Sequence, residues 1–323
     1  MSTSALVAKS ELLKLLPSCS YAIPTTTAAE LDVFSWSRIF ENVAASVPLR
    51  QALDLKTLHS EAYYAVNRAF RKVKKLKIEI LNDETTIYFV QGSPARNPKV
   101  AVEMVRFVLS KARKLTHLEL YFEDTNLKVL NRMLDEVAKS ENVKLESLKV
   151  KRRHAGQSVT KIGEIIRANS STLREITRVG ISEASYGFSE KIRLERFGCM
   201  SFDLGYQPTP HQVPLHMIRI TESGAKFVNF SYTSFSGFDP SDEIVQNMLE
   251  SAEVQTLKLT MMDMPPISQR PGYMIGKIRR VKRVELVEIV AEPQRIHKLF
   301  GIRHVFEKVF PSCHDILFLQ QWE

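Results

Sequence analysis

Cys313, His314 and Asp315 place a thiol, an imidazole and a carboxylate in direct succession near the end of this 323-residue chain. A nucleophile, its base and an orienting acid are the ingredients of covalent catalysis, but they must meet in space. Neighbours along a chain rarely point together, so succession alone makes no triad. Cys199 follows Gly198 in an apolar stretch and reads as a small buried hydrophobe. Acidic pairs such as Asp135-Glu136 fall on exposed helix faces. Neither GxxxxGK followed by Ser or Thr nor GxGxxG occurs, and 12 glycines leave little material for phosphate-cradling loops. No CxxC or HExxH spacing offers a metal its ligands. The expectation is a chain with no catalytic residues, no metal and no cofactor.

Charge is the more productive signal. Lys and Arg number 45 against 36 Asp and Glu, a formal charge of +9 that favours acidic partners. Three basic clusters stand out. The first holds Arg68, Arg71, Lys72, Lys74, Lys75 and Lys77; the second Lys149, Lys151, Arg152, Arg153 and His154; the third Lys277, Arg279, Arg280, Lys282 and Arg283. Each overlaps or adjoins an expected strand. Lys75, Lys77, Lys149, Lys258, Lys282 and Arg283 alternate with core positions. Together with Lys151 they form the expected substrate-binding line on one sheet face. Such a line could hold an acidic peptide, a phosphorylated segment or nucleic acid. Equally, Lys and Arg between core residues keep a strand soluble. Aromatic residues are sparse near the clusters, which argues against single-stranded nucleic acid.

The elements that must position these charges come from one apolar spacing: apolar, two residues, apolar, one residue, apolar. It reads Val73-x-x-Leu76-x-Ile78, Leu115-x-x-Leu118-x-Leu120 and Leu145-x-x-Leu148-x-Val150. It returns at Leu194-x-x-Phe197-x-Cys199, Ala225-x-x-Val228-x-Phe230, Val254-x-x-Leu257-x-Leu259 and Val281-x-x-Val284-x-Leu286, with a degenerate copy from Leu173. Most copies start 20 to 30 residues apart, close to a leucine-rich period. Helices fill several links: Lys99–Ala112 carries Val100, Met104, Phe107 and Val108 near the 3.6-residue period, and Asn126–Lys139 carries Leu127, Leu130, Leu134 and Val137. A unit of one strand and one helix cannot bury its own apolar face, so stacking on neighbours completes it. Over residues 72–290 the chain resembles a leucine-rich-repeat protein. The family's Asn or Cys after the strand is missing, because Glu123, Arg153, Met262 and Ile289 stand there. The same strands also suit a generic α/β domain.

Residues 1–27 read as weakly structured, and 311–323 as a C-terminal tail, which leaves 72–310 for the repeat domain. The N-terminus mixes Lys9, Glu11 and Lys14 into its apolar residues, unlike a secretory signal. No stretch approaches 18 apolar residues, so no membrane span is expected. Three separated cysteines, Cys19, Cys199 and Cys313, suggest free thiols in a reducing compartment, hence the cytoplasm or nucleus. The glycosylation sequons at Asn169 and Asn229 are then accidental.

Residues 28–71 are helical in composition, with Pro48 as their divider. Leu31, the Ile39-Phe40 pair and Val43 are followed by Leu49, Leu53, Leu55 and Leu58. This segment resembles a divergent F-box, in which Asp32 replaces the usual Pro and Tyr63 or Tyr64 the usual Trp. The whole is then an α/β protein: a curved leucine-rich-repeat-like solenoid with a small helical N-terminal F-box-like segment. That resemblance implies a non-enzymatic substrate receptor of a cullin–RING ubiquitin ligase. Leu31, Trp36, Ile39, Phe40 and Val43 would dock a Skp-type linker protein and its cullin complex, and the repeats would hold an acidic or phosphorylated substrate protein. The competing reading makes the same helices a cap on the first repeat, in a protein-interaction module with no ligase role. Exposure of the Trp36/Phe40 face separates the two.

Overall fold

The computed structural model describes residues 32–81, 84–89, 92–95, 97–123, 127–152, 159–201, 212–234, 242–261, 278–290, 306–307 and 309–322. Cys19, Leu31, Arg153, His154, Met262 and Lys277, named above, lie outside these residues, as does the segment 1–27.

Three helices come first. In α1 (Val33–Ser46) the Asp32 side chain caps the start by accepting from the Ser35 N–H at 2.7 Å. Pro48 leads into α2 (Leu49–Leu55), where its missing N–H costs nothing. Helix α3 (Ser60–Lys72) carries Glu61 in its first turn and Arg71 and Lys72 in its last, as the helix dipole favours.

Then strands dominate: β1 (Lys75–Leu81), β2 (Glu84–Tyr88) and β3 (Gly92–Ala95), followed by α4 (Pro98–Lys111). Strand–helix pairs follow: β4 (His117–Phe122) and α5 (Leu127–Lys139), β5 (Ser147–Arg152) and α6 (Thr160–Ala168), β6 (Glu175–Gly180) and α7 (Ile181–Gly187). Next come β7 (Arg193–Ser201) and α8 (Gln212–Glu222), β8 (Lys226–Ser234) and α9 (Glu243–Ser251), then β9 (Thr256–Met261), β10 (Arg283–Val290) and β11 (Asp315–Trp322). The α/β class expected from the sequence is thus observed, with a mostly parallel sheet.

All eleven strands form one sheet in the order β11-β10-β9-β8-β7-β6-β5-β4-β1-β2-β3. From β1 and β4 through to β11 every pairing is parallel, and the strands lie side by side in chain order. Only β2 and β3 turn back antiparallel at one edge. Between β4 and β9 a helix stands in each connection between successive parallel neighbours. Helix α3 packs on α4, and α4 through α9 each pack on the next. Leu76, Ile78 and Ile80 of β1, Leu118, Leu120 and Phe122 of β4, and Leu148 and Val150 of β5 are buried. The residues between them face the other way and reach solvent.

Register corrects the repeats at two points. The copy read as Ala225-x-x-Val228-x-Phe230 is displaced by two residues: Val228 is 41% exposed, whereas Phe227, Phe230 and Tyr232 are buried. Leu194 pairs with Phe227 and Phe197 with Phe230, so the core triplet is Phe227, Phe230 and Tyr232. The tail assigned to 311–323 contains β11, in which Ile316 pairs with Val284 and Phe318 with Leu286. Cys313 therefore opens one more copy, Cys313-x-x-Ile316-x-Phe318. The weak copy at Leu173 is a full strand, β6. Backbone bonds beside the triplets join them in series: Thr116 N–H to Lys74 O, Glu146 to Thr116, Arg174 to Glu146 and Glu195 to Arg174, at 2.7–2.9 Å.

Candidate functional site

The expected substrate-binding line separates into paired and unpaired charges. Lys77, Glu119, Lys149 and Thr177 fall in one register row across β1, β4, β5 and β6. Glu119 sits between the lysines, 2.5 Å from Lys75 and 3.8 Å from Lys149, and Lys77 pairs with Glu79 at 3.0 Å. Farther along, Lys258 lies 3.7 Å from Glu285, and Arg283 lies 2.8 Å from Glu285 and 3.4 Å from Asp315. Burial pushes the Glu119 pKa up, but the Lys75 hydrogen bond and the charges of Lys75, Lys149 and Lys77 outweigh it and hold the carboxyl below its usual range. Of the expected line, Lys75, Lys77, Lys149, Lys258 and Arg283 each have a carboxylate within 4 Å, and Glu119 and Glu285 are each shared by two cations. Lys151 does lie on β5 of that face. Lys282 precedes β10 and donates to the Arg279 carbonyl at 3.0 Å.

Uncompensated charge collects elsewhere. Where the chain leaves α4, α5 and α6 and enters the next strands, a groove of about 1320 Å³ runs along the starts of β1, β4, β5, β6 and β7. Lys74, Arg113, Lys114, Lys144, Arg174 and Arg193 line it, against Glu141, Glu146 and Glu195. All six cations are exposed. Arg174 pairs with Glu195 at 3.3 Å, and Arg193 donates to the carbonyls of Glu190 and Ile192. Among the described residues, Lys74, Arg113, Lys114 and Lys144 have no carboxylate partner. Ser110, Thr116, Asn142, Ser171 and Thr172 add polar groups to the walls. The sequence held a signal for this groove in the basic residues just before or just after the first residue of each triplet, but they are scattered over more than a hundred positions.

Of the residues expected to dock a linker, two lie in the core. Phe40 is 2% exposed and Val43 7%, both inside the continuous core. Trp36 stacks on Phe40 at 5.7 Å, and Trp36 and Ile39 pack against that core while partly buried. Helix α1 lies against α3, and the Leu49 N–H at the head of α2 bonds Ser93 of β3 at 2.6 Å. Phe40 and Val43 thus fill the interior and supply no surface. What α1 and α3 leave exposed is Val33, Phe34 at 82%, Tyr63 and Tyr64.

Other polar clusters were illegible in the sequence. Arg152, grouped above with a basic cluster, is buried in a salt bridge with Glu183. Glu183 also accepts the N–H groups of Val159 at 2.7 Å and Gly180 at 2.9 Å. The sequon residue Asn169 is buried: its Oδ1 accepts the Leu145 N–H at 2.8 Å and its Nδ2 donates to the Ile165 carbonyl at 2.9 Å. Ser185 Oγ lies 2.8 Å from His216 Nδ1 and bonds the Ser182 carbonyl at 2.8 Å. Ser185 thereby positions the ring. Burial and then Arg219 push the His216 pKa down. The Cys313 thiol meets the carbonyls of Lys282 and Asp315 at 3.4 Å, burial pushes its pKa up, and the Asp315 carboxylate pairs with Arg283. Among the described residues no group of acids, His and Cys could hold a metal, and no helix is long and apolar enough to cross a membrane.

No protein-family model matches the chain, and no curated protein matches it in sequence.

Proposed function

We propose that this chain is a non-catalytic protein-recognition module, a leucine-rich-repeat-like solenoid whose N-terminal helices cap the first repeat. The observation that carries the reading is the strand order: parallel strands laid down in chain sequence, with one face covered by helices and the other open. Stacked units of that kind offer an extended recognition surface in place of a pocket. Burial of Phe40 and Val43 favours the cap. A cytoplasmic or nuclear setting goes with the free Cys199 and Cys313. To test it, a photo-crosslinking residue is placed at Ser231 on the open face, at Lys144 in the groove, and at Glu103 on the helix side. Adducts with a discrete polypeptide are expected from the first two positions. Adducts from Glu103 alone would overturn the reading.

A second reading, the substrate adaptor of a cullin–RING ubiquitin ligase, is favoured by one observation: Val33, Phe34, Tyr63 and Tyr64 stay exposed on the capping helices. A cap gains nothing from an exposed phenylalanine, whereas a docking helix needs one. Capture of a Skp-type linker protein by the wild type, lost in Phe34→Asp without loss of fold, is the expected result. Absence of capture by folded wild-type protein removes the adaptor and leaves the module.

A further inference from the structure

We infer that the groove along the starts of β1 and β4–β7 binds an extended acidic segment of a partner protein, recognised by its carboxylate or phosphate groups. The inference rests on the recognition-module reading and moves its site from the open face to the groove.

Four open-face cations already have anions: Lys75 and Lys149 share Glu119, and Lys258 and Arg283 share Glu285. A ligand there must displace those partners before it gains anything. Lys74, Arg113, Lys114 and Lys144 need no such exchange. Helix C-termini attract cations, and α4, α5 and α6 end beside the groove. Lys111, Lys139 and Arg167, in the last turns of those helices, already fill that role. The four unpaired cations are surplus to it.

The dimensions fit a peptide. Adjacent strands lie about 4.8 Å apart, so the five strand starts span about 19 Å, the length of about six residues of extended chain. Asn142 and Ser171 between the cations can bond a peptide backbone, whereas Ser110, Thr116 and Thr172 already bond neighbouring groups. Glu141, Glu146 and Glu195 would repel a continuous phosphate backbone, whereas a peptide can set neutral residues against them. Among the described residues no Phe, Tyr or Trp lines the groove to stack a base, and His117 is the one ring in its walls.

The test uses the full chain and fluorescence anisotropy at physiological ionic strength. The probes are a labelled peptide of alternating glutamate and serine, the same peptide phosphorylated on each serine, and an oligouridine of matched charge. The proteins are the wild type, K114E/K144E in the groove and K149E/K258E on the open face, each checked by circular dichroism. All four positions are on the surface, so folding is expected to persist. Binding of at least one peptide to the wild type, weakened about tenfold or more by the groove reversal and within about twofold by the open-face reversal, is the expected result. Tighter binding of the phosphorylated peptide assigns phosphate as the recognised group; equal binding assigns the carboxylate. Equal losses in both variants, preference for oligouridine, or no binding to folded wild type would overturn the inference. If adducts from Ser231 persist while both peptides fail, the groove inference falls and the recognition module stands; if both fail, both fall.

Discussion

Glu119 serves two lysines of the open face at once. It lies between Lys75 and Lys149, and it is partly shielded from water by the strands on either side. Its pKa is lowered on folding, so its contribution to stability is full above the ordinary carboxylate range and is lost as pH falls through the folded value. Glu119→Gln should therefore lower the urea midpoint at neutral pH, with the gap to wild type closing in acid. A gap that stays constant or widens in acid would contradict this. Glu183 makes a stronger demand, because it satisfies Arg152 and two backbone N–H groups in the interior. Glu183→Ala leaves a buried cation and two buried donors without partners, and should cost about 3–5 kcal/mol in chemical denaturation. Arg152→Met removes only the cation and should cost less. The reverse order would mean that the backbone donors find other acceptors. Neither residue was legible in this role: Arg152 looked like one more basic side chain, and Glu183 belongs to a helix the apolar spacing did not announce.

At the scale of elements, glycine sets how closely two helices approach. A methyl group at Gly187 would sit 2.6 Å from Ile166 Cβ and 2.7 Å from the Gly163 carbonyl. Helices α6 and α7 can pack at this distance only while position 187 has no side chain. Gly187→Ala should push them apart at a cost of about 1–3 kcal/mol, read as a lower denaturation midpoint. An unchanged midpoint would show that α7 shifts freely. Helix α1 makes the contrast between core and surface. Phe40→Ala empties a core site and should cost about 3–5 kcal/mol. Phe34→Ala, six residues earlier on the same helix and exposed to solvent, should stay within about 0.5 kcal/mol. Comparable losses at both positions would mean that something covers Phe34. The helix itself and its apolar residues were readable from composition; which residues it buries depends on where α3 lies, and no local pattern states that.

For the whole molecule, stability should be graded along the sheet. Each parallel strand bonds two neighbours, except at the edges, where β3 is four residues long and β11 has one described partner. Hydrogen exchange should be slowest in β4 through β9 and fastest in β3 and β11. Uniform exchange across all strands would indicate a single cooperative unit instead. What the sequence determined by itself was the local alternation: the apolar triplets, the helices between them and therefore the α/β class. Those follow from side-chain periodicity within a few residues. It also held the copy beginning at Cys313, hidden because cysteine stands where other copies have an aliphatic residue. Tertiary structure alone decided which triplet of β8 faces the core, since Phe227 and Val228 both suit a strand and only the register with β7 and β9 separates them. It alone decided which cations are neutralised, because Lys75 and Glu119 belong to different strands and meet only through parallel pairing. The groove exists for the same reason: laying strands side by side in chain order brings the residues before each one onto a single edge, where charges far apart in the chain become neighbours.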